Sequence, residues 1–359
     1  MNFRLTMKSL TLVGLMGSAS LFATNNSNFK TVEADSVAPL SITGQVDAYF
    51  KASSNKLSVA KTSYTSQSGF GLGMANLVLA KDNGKIGFVA DVMFGPRAEE
   101  TNYNYTGSPA FIKQLFVTYK PSDKVKFTMG NFMTFVGYEL VEAANNLNYT
   151  LSYNYTNGPF FHTGLKADVA LTEKLGAMVG VFSVTDTKGK YGLINPALDV
   201  NKKYVGGQLS YVSGPFKVYL NGLSGKNPDS SKTTTLDITT SLQATEKFGI
   251  GLNIINVKET KEKTDKSFTG GAVYLNYAFA PIFTLAVRGE MFKDADGWKY
   301  SATDNTITAF TISGNIKIDA FTIVPEIRID SAKKNIWVND KGAAKGGETA
   351  FILAGIYKF

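Results

Sequence analysis

Apolar and polar residues alternate with a period of two over long stretches of this chain, and no other feature constrains its fold as strongly. In the segment TLDITTSLQA, Leu236 and Leu242 fall on one face, whereas Asp237 falls on the other. The segments at 283–291 and 321–330 repeat the pattern. Successive side chains of a β-strand point to opposite faces, so this alternation indicates strands with one apolar and one polar surface.

The candidate strands are long, whereas strands of soluble proteins mostly have about five or six residues. A tilted strand needs about 9–11 residues to cross a bilayer, and most of the candidates reach that length. Fourteen or eighteen strands also fit the pattern, because strand boundaries shift by about 2–4 residues in such predictions. The sequence favours sixteen strands, at 41–51, 68–80, 85–95, 111–120, 124–133, 160–171, 174–186, 203–213, 216–225, 232–245, 247–258, 267–280, 282–293, 304–319, 320–331 and 348–359.

The connections between these strands alternate in length. Tight turns such as 81–85 and 120–124 are followed by long polar segments such as 95–110 and 331–348. Short turns on one side and long loops on the other are typical of bacterial outer-membrane barrels. The sequence therefore predicts an all-β protein, a transmembrane antiparallel β-barrel over 41–359, with both of its ends on the periplasmic side.

The N-terminus predicts export. Arg4 and Lys8 precede the apolar stretch SLTLVGLMGSASLFA, which is shorter than the ~20 residues of a membrane-spanning helix. We predict a signal peptide at 1–23 and a periplasmic lead-in at 24–40. An uncleaved anchor is the alternative, and the shortness of the apolar stretch disfavours it. No apolar run of 18 residues follows, so no membrane helix is expected in the rest of the chain.

Composition excludes several classes of site. The chain has 0 cysteines, which rules out disulfides, thiolate metal sites and cysteine nucleophiles. Charged residues make up 18%, below the ~25% usual for soluble domains. The formal charge of +8 falls to +6 without Arg4 and Lys8, and its positive residues are scattered. A nucleic-acid partner is therefore not predicted.

Charged residues on three successive strands fall on the face that the alternation turns toward the lumen. Facing water avoids the ~2–4 kcal/mol that a basic residue costs at the bilayer midplane. These residues either pair with one another in a solvated wall or form a charged pore lining, and the sequence leaves both interpretations open. The predicted lumen-lining residues are Arg288, Glu290, Lys317, Asp319, Glu326, Arg328 and Asp330.

The longest connection runs from Met133 to Lys166 and holds the motif GYE…NNLNYTLSYNY…GPFFHTGLKADV. Together with DVMFGPRAE and FIKQLFVTYKP, it resembles the beta-barrel porin family of Bacteroidetes-type outer-membrane proteins. The common form of the motif has Ser-Arg where this chain has Thr150 and Leu151, which removes a loop cation. The resemblance covers the first third of the barrel well and implies an outer-membrane porin, without naming its solute.

In such porins the third long loop bends into the lumen, so the loop at 134–159 is expected to fold inward and narrow the pore. Glu139 and Glu142 are its only charges and become the candidate constriction residues. If both carboxylates reach the constriction, the pore should prefer cations weakly. The resemblance also implies that the C-terminal Tyr357 and Phe359 form the signal for barrel assembly.

The expected function is passive diffusion of small hydrophilic solutes, with no enzyme activity and no cofactor. A non-conducting barrel that acts as an adhesin or structural surface anchor is the alternative. A barrel hydrolase with His162 beside Ser152 is disfavoured, because the sequence offers no third orienting group. Asp294, Asp296 and Asp304 are too loosely spaced for a calcium loop. Expected partners are outer-membrane lipid, the barrel-assembly machinery and small solutes, for a monomer or a trimer.

Overall fold

The computed structural model describes residues 39–56, 65 and 68–359. The predicted signal peptide and nearly all of the lead-in lie outside the described residues. The strands are β1 Ser41–Ser53, β2 Gly69–Asp82, β3 Ile86–Phe94, β4 Ile112–Ser122, β5 Val125–Met133, β6 Phe161–Ala170, β7 Leu175–Ser183, β8 Lys203–Ser213, β9 Phe216–Lys226, β10 Lys232–Gln243, β11 Phe248–Lys261, β12 Thr264–Ala280, β13 Phe283–Asp296, β14 Thr303–Ile318, β15 Phe321–Ala332, β16 Trp337–Val338, β17 Ala344–Lys345 and β18 Gly347–Lys358.

Sixteen of these strands, β1 to β15 and β18, form one closed antiparallel barrel. Each strand pairs with its neighbours in sequence, and β1 closes the ring by pairing with β18. The two-residue strands β16 and β17 pair only with each other, in the connection between β15 and β18. This ring confirms the prediction of a sixteen-stranded transmembrane barrel. Its closure through a hydrogen-bonded ladder leaves no sheet edge exposed to lipid.

The helices are short and lie in the connections. Among the described residues no helix is long and apolar enough to cross a membrane. The helical segments are α1 Pro96–Thr101, α2 Ser108–Phe111, α3 Tyr153–Asn157 and a 3-10 turn at Ala143–Asn145.

The outer surface of the barrel is apolar. Phe70 is 82% exposed and Leu72 68% exposed, although both are large hydrophobic residues. The other face of the wall turns inward. On the neighbouring strand β1, Tyr49 and Lys51 are buried on that inward face. An apolar outer face suits lipid and would be costly in water.

Pro325 lies in the middle of β15 at a gap in the ladder. The β14–β15 pairing runs from Ser313 opposite Glu326 to Ile316 opposite Ile323, without a paired residue between them. Proline has no N–H to donate, so it is tolerated where a strand pair leaves such a gap. The pairing of Pro325 with Leu353 on the β18 side continues without interruption.

Candidate functional site

Residues 134–160, between β5 and β6, leave the wall and lie inside the barrel. On one side the Tyr149 N–H donates to Glu326 Oε2 of β15 at 2.7 Å. On the other side the Gly137 N–H donates to Asp237 Oδ1 of β10 at 3.2 Å. We call this segment, 134–160, the inner loop. The two ends of the inner loop continue β5 and β6, which are neighbours in the barrel wall. Its contacts with β10 and β15 therefore place it across the lumen.

Arg288 of β13 is the main cation that binds the inner loop. Its Nη1 lies 2.6 Å from Glu139 Oε1 and donates to the Thr150 carbonyl at 2.5 Å. Its Nε donates to Glu290 Oε1 at 2.7 Å. The side chains of Arg288, Glu139 and Glu290 are 0%, 2% and 2% exposed. The guanidinium therefore joins two segments of the loop to the barrel wall.

Arg328 of β15 makes a second connection to the loop. Its Nη1 donates to the Leu151 carbonyl at 2.7 Å. The carboxylate of Asp330 lies 2.9 Å from Arg328 Nε, and the carboxylate of Glu290 lies 3.6 Å from Nη2. The Tyr153 hydroxyl donates to Asp330 Oδ1 at 2.9 Å. Glu290 is thus shared by both arginines.

Glu326 receives hydrogen bonds from the loop backbone. Besides the Tyr149 N–H, its carboxylate accepts from the Thr150 N–H at 3.0 Å and from Ser313 Oγ at 2.6 Å. A buried carboxylate needs several donors to offset its lost hydration. Among the described residues Glu326 has no ion-pair partner, so these donors satisfy its carboxylate oxygens and fix the loop against β15.

Glu142 is bound by a basic residue that the sequence did not single out. Lys113 of β4 pairs with Glu142 and lies 2.6 Å from Asp91 Oδ2 of β3. Arg97, in α1, donates to the Val141 carbonyl at 3.1 Å and to the Tyr149 carbonyl at 2.9 Å. Arg97 belongs to the DVMFGPRAE segment, so this motif was the sequence feature from which its role could have been predicted.

The far wall binds the loop through amides. Asp237 accepts from Asn221 at 2.6 Å and from Asn253 at 2.5 Å in addition to the Gly137 N–H. The Asn154 amide, in α3, donates to Asn253 Oδ1 at 2.9 Å. Sequence analysis missed these residues, since single polar residues on inward faces carry no motif.

A buried apolar cluster surrounds the loop inside the barrel. It includes Phe135 and Tyr153 of the loop, together with Phe182 of β7 and Phe292 of β13. The ring centroids of Tyr153 and Phe292 lie 5.8 Å apart. A lumen filled by rings at such distances leaves less room for water than an open barrel of the same strand number.

Most of the residues predicted to line an open lumen are buried against the loop. Arg288, Glu290, Glu326, Arg328 and Asp330 are at most 7% exposed. Of the two interpretations of these charges, their geometry matches mutual pairing.

Lys317 and Asp319 lie apart from this group. Lys317 is exposed at the end of β14, on its inward face. Asp319 was expected on a strand, and this is wrong: it lies in the turn after Ile318, with φ at 52°. The turn reverses the chain there, so the period of two no longer decides where the Asp319 side chain points.

The C-terminal residues lie on the outer face at the seam of the barrel. Tyr357 and Phe359 are 46% and 52% exposed. The Phe359 N–H donates to the Gly44 carbonyl at 3.0 Å, and the Gly44 N–H donates back at 2.9 Å. The last residue therefore completes the pairing between β1 and β18.

A vestibule of about 560 Å³ opens above the inner loop, on the side of the long connections. Asp186 lies in its wall and accepts from the Phe160 and Phe161 N–H groups at 2.8 and 3.0 Å. Burial raises the pKa of Asp186 to about 7, against the opposing effect of those two donors. Burial also lowers the pKa of the nearby Lys188 to about 7. Trp298 and Lys299 also line the vestibule.

Among the described residues, neither the hydrolase nor the calcium-loop alternative finds the arrangement of side chains that it requires. His162 Nε2 lies 2.9 Å from Thr134 Oγ1, and its ring is 5.0 Å from those of both Phe135 and Phe182. Ser152 caps α3 by accepting from the Tyr155 N–H. Within the described ranges no group of three or more ligating residues could hold a metal ion.

Comparison with known proteins decides the family. Residues 39–359 match the family described as "Putative beta-barrel porin-2, OmpL-like". The chain belongs to this family. It is an integral outer-membrane porin, which allows passive diffusion of solutes and is surrounded by outer-membrane lipid. This assignment favours the porin over the alternative of a non-conducting adhesin or surface anchor. No curated protein matches the porin's sequence.

Solved structures share the fold of the porin at low identity. The anion-selective porin from Comamonas acidovorans is 12% identical, with a TM-score of 0.63, covering 90% of this chain and 100% of that one. The trimer form of OmpT from Vibrio cholerae is 12% identical, with a TM-score of 0.59 and coverages of 90% and 100%. The channel DcaP of Acinetobacter baumannii is 12% identical, with a TM-score of 0.57 and coverages of 92% and 100%.

Proposed function

We propose that this porin is a narrow, non-enzymatic pathway for small hydrophilic solutes, in which the inner loop sets the bore. The observation that carries this proposal is the buried contact of Arg288 with Glu139 and with the Thr150 carbonyl. Through it the barrel wall binds both halves of the loop. A loop bound in this way stays in the lumen while solutes pass.

The size of the barrel supports a channel, and the loop supports a narrow one. Barrels of about 16 strands enclose an aqueous channel rather than a core of side chains. In this porin the inner loop and the cluster around Phe135 and Phe292 occupy part of that space. Passage then depends on bore and on the charge of the lining, with the solute gradient as the driving force.

The environment of His162 supports the absence of catalysis. The imidazole is 0% exposed and lies between two phenylalanine rings. A general base must come within hydrogen-bond reach of the proton that it removes. No substrate reaches this ring without displacement of the inner loop.

Assembly is part of the same proposal. The outward position of Phe359 at the closing seam suits recognition by the barrel-assembly machinery. One solved structure with this fold is a trimer form, and we propose a monomer or a trimer for this porin. Analytical ultracentrifugation of the detergent-solubilised, folded barrel distinguishes these two states.

Planar-bilayer recording tests the diffusion pathway. We expect discrete conductance steps that are small for a sixteen-stranded barrel, together with liposome permeability that falls steeply as neutral sugars grow from mono- to trisaccharides. Folded barrel that inserts into the bilayer and carries no current would overturn the proposal. Equal permeability to all of these sugars would contradict the proposal of a narrow bore.

A further inference from the structure

The inward-facing residues next to the short turns are strongly unbalanced in charge. We consider the five residues of each barrel strand that adjoin a short turn or a terminus of the barrel. Among these, the charged residues on the inward-facing phase are six lysines and two aspartates, a net charge of +4. They are Lys120, Lys126, Lys166, Lys217, Lys317 and Lys358, with Asp82 and Asp168.

Ion pairs involve three of the lysines. Asp82 lies 2.7 Å from Lys120, and both side chains are exposed. Asp168 is shared by Lys166 at 3.2 Å and Lys126 at 3.8 Å. One carboxylate between two ammonium groups leaves a positive charge on this part of the wall.

The other three lysines have no carboxylate within ion-pair distance in the described part of the chain. Lys217 shares the inward face of β9 with Asn221, and Lys317 shares that of β14 with Asn315. The Asn315 amide donates to the inner loop at the Leu147 carbonyl, 2.8 Å away, which fixes this face as the inner one. Lys358 reaches the loop directly, since its Nζ donates to Asn145 Oδ1 at 2.9 Å.

The surplus does not extend into the neighbouring short turns. The short turns themselves carry four lysines and four acidic residues, so they are balanced. Nearer the middle of the barrel, Glu139 pairs with Arg288 and Glu142 with Lys113. The carboxylates on which a weak cation preference would depend are therefore neutralised by their partners.

We infer that this porin passes small anions in preference to cations, and that Lys217, Lys317 and Lys358 determine this selectivity. The inference rests on the proposed diffusion pathway and names its preferred class of solute. Like charges around a water-filled opening with low-dielectric walls raise the local concentration of counter-ions. The periplasmic opening then concentrates anions at one end of the passage.

Reversal potentials in a potassium chloride gradient test the inference. Wild-type porin should show a chloride-over-potassium permeability ratio above one. The triple variant Lys217→Gln, Lys317→Gln, Lys358→Gln should bring that ratio about twofold closer to one. The change should be larger at low salt, because the Debye length is about 30 Å at 0.01 M and about 8 Å at physiological ionic strength.

A matched triple variant separates lining charge from total charge. Lys85, Lys124 and Lys247 lie exposed in the short turns, so their replacement by Gln removes the same charge outside the opening. We expect this control to shift the ratio much less. A cation-selective wild type, or equal shifts in both triple variants, would overturn the inference while leaving the diffusion pathway standing. Absence of any current would instead contradict the proposed function.

Discussion

Arg288 Nη1 lies 2.6 Å from Oε1 of Glu139, a residue 149 positions earlier in the chain, and the two side chains are 0% and 2% exposed. A buried ion pair is weak evidence for stability, because desolvation offsets much of the attraction. Its consequence here is geometric. It favours one placement of the inner loop relative to β13, because any other placement separates the Glu139 carboxylate from the guanidinium.

Removing the arginine should release the loop. Arg288→Met leaves Glu139 and Glu290 buried without that partner, and loss of one member of a buried pair typically costs about 3–5 kcal/mol. We expect a lower urea midpoint of the refolded barrel in detergent and noisy, larger conductance steps. Adding Glu139→Gln to Arg288→Met should recover part of both changes.

The exposed pair Lys261–Asp229 provides the control for that variant. Its atoms lie 2.9 Å apart, but the side chains are 54% and 51% exposed. Lys261→Met should leave the urea midpoint nearly unchanged and the current steady, because an exposed ion pair contributes little to stability. Steady wild-type steps in Arg288→Met would contradict the role of Arg288 in holding the loop.

Deletion of residues 138–158 should raise conductance while the barrel still inserts. The wall charges then meet water instead of the loop, so Arg288 and Arg328 regain hydration and the barrel ladder is untouched. Single-channel recording gives the conductance, and heat-modifiable migration on gels reports folding. Deletion of 339–343, in the connection between β15 and β18, is the control. Equal conductance of the two deletion variants would contradict the prediction that the inner loop constricts the pore.

Phe359→Asp should lower the amount of folded porin in the outer membrane, and so should removal of residues 357–359. Phe321, opposite Tyr357 on β15, also faces outward at 37% exposure and gives the control Phe321→Asp. A charge near the membrane interface costs a barrel only about 0–1 kcal/mol. Surface levels measured by quantitative blotting should therefore fall severalfold more for Phe359→Asp. Equal levels for the two variants would rule out a special role for the terminal residue.

Asp186 predicts a pH dependence of stability. Burial raises its pKa to about 7 in the folded state, from an ordinary value of 3.8. Between these values the folded state binds one more proton than the unfolded state, so this group's contribution to stability falls as pH rises from about 4 to about 7. Asp186→Asn should reduce that fall, and asparagine also tolerates the φ of 57° at this position. Urea midpoints at pH 4.5 and 7.5 measure it, and identical pH slopes in the two proteins would refute the assignment.

The barrel itself was predictable because its signal is local. Alternation within a strand and the length of each connection are read directly along the chain, and lipid outside with water inside requires both. The strand β8 was predicted at 203–213 and is observed at Lys203–Ser213. The main departures are at extracellular ends such as that of β12, which begins at Thr264 rather than 267. There the ladder continues into water and no hydrophobic boundary marks its end.

The contacts inside the barrel depended on tertiary structure. Alternation along the chain was enough to place Arg288, Glu290 and Arg328 on the inward face, since the other face of these strands meets lipid. It did not determine that Glu139 meets Arg288 or that Lys113 meets Glu142, because closure of the ring brings together residues whose separation follows no period. The same closure gathers Lys217, Lys317 and Lys358 around one opening, although each is a single lysine at the end of a different strand. Alternation is a property of neighbouring residues, whereas the charge of a lumen is the sum over all the strands that surround it.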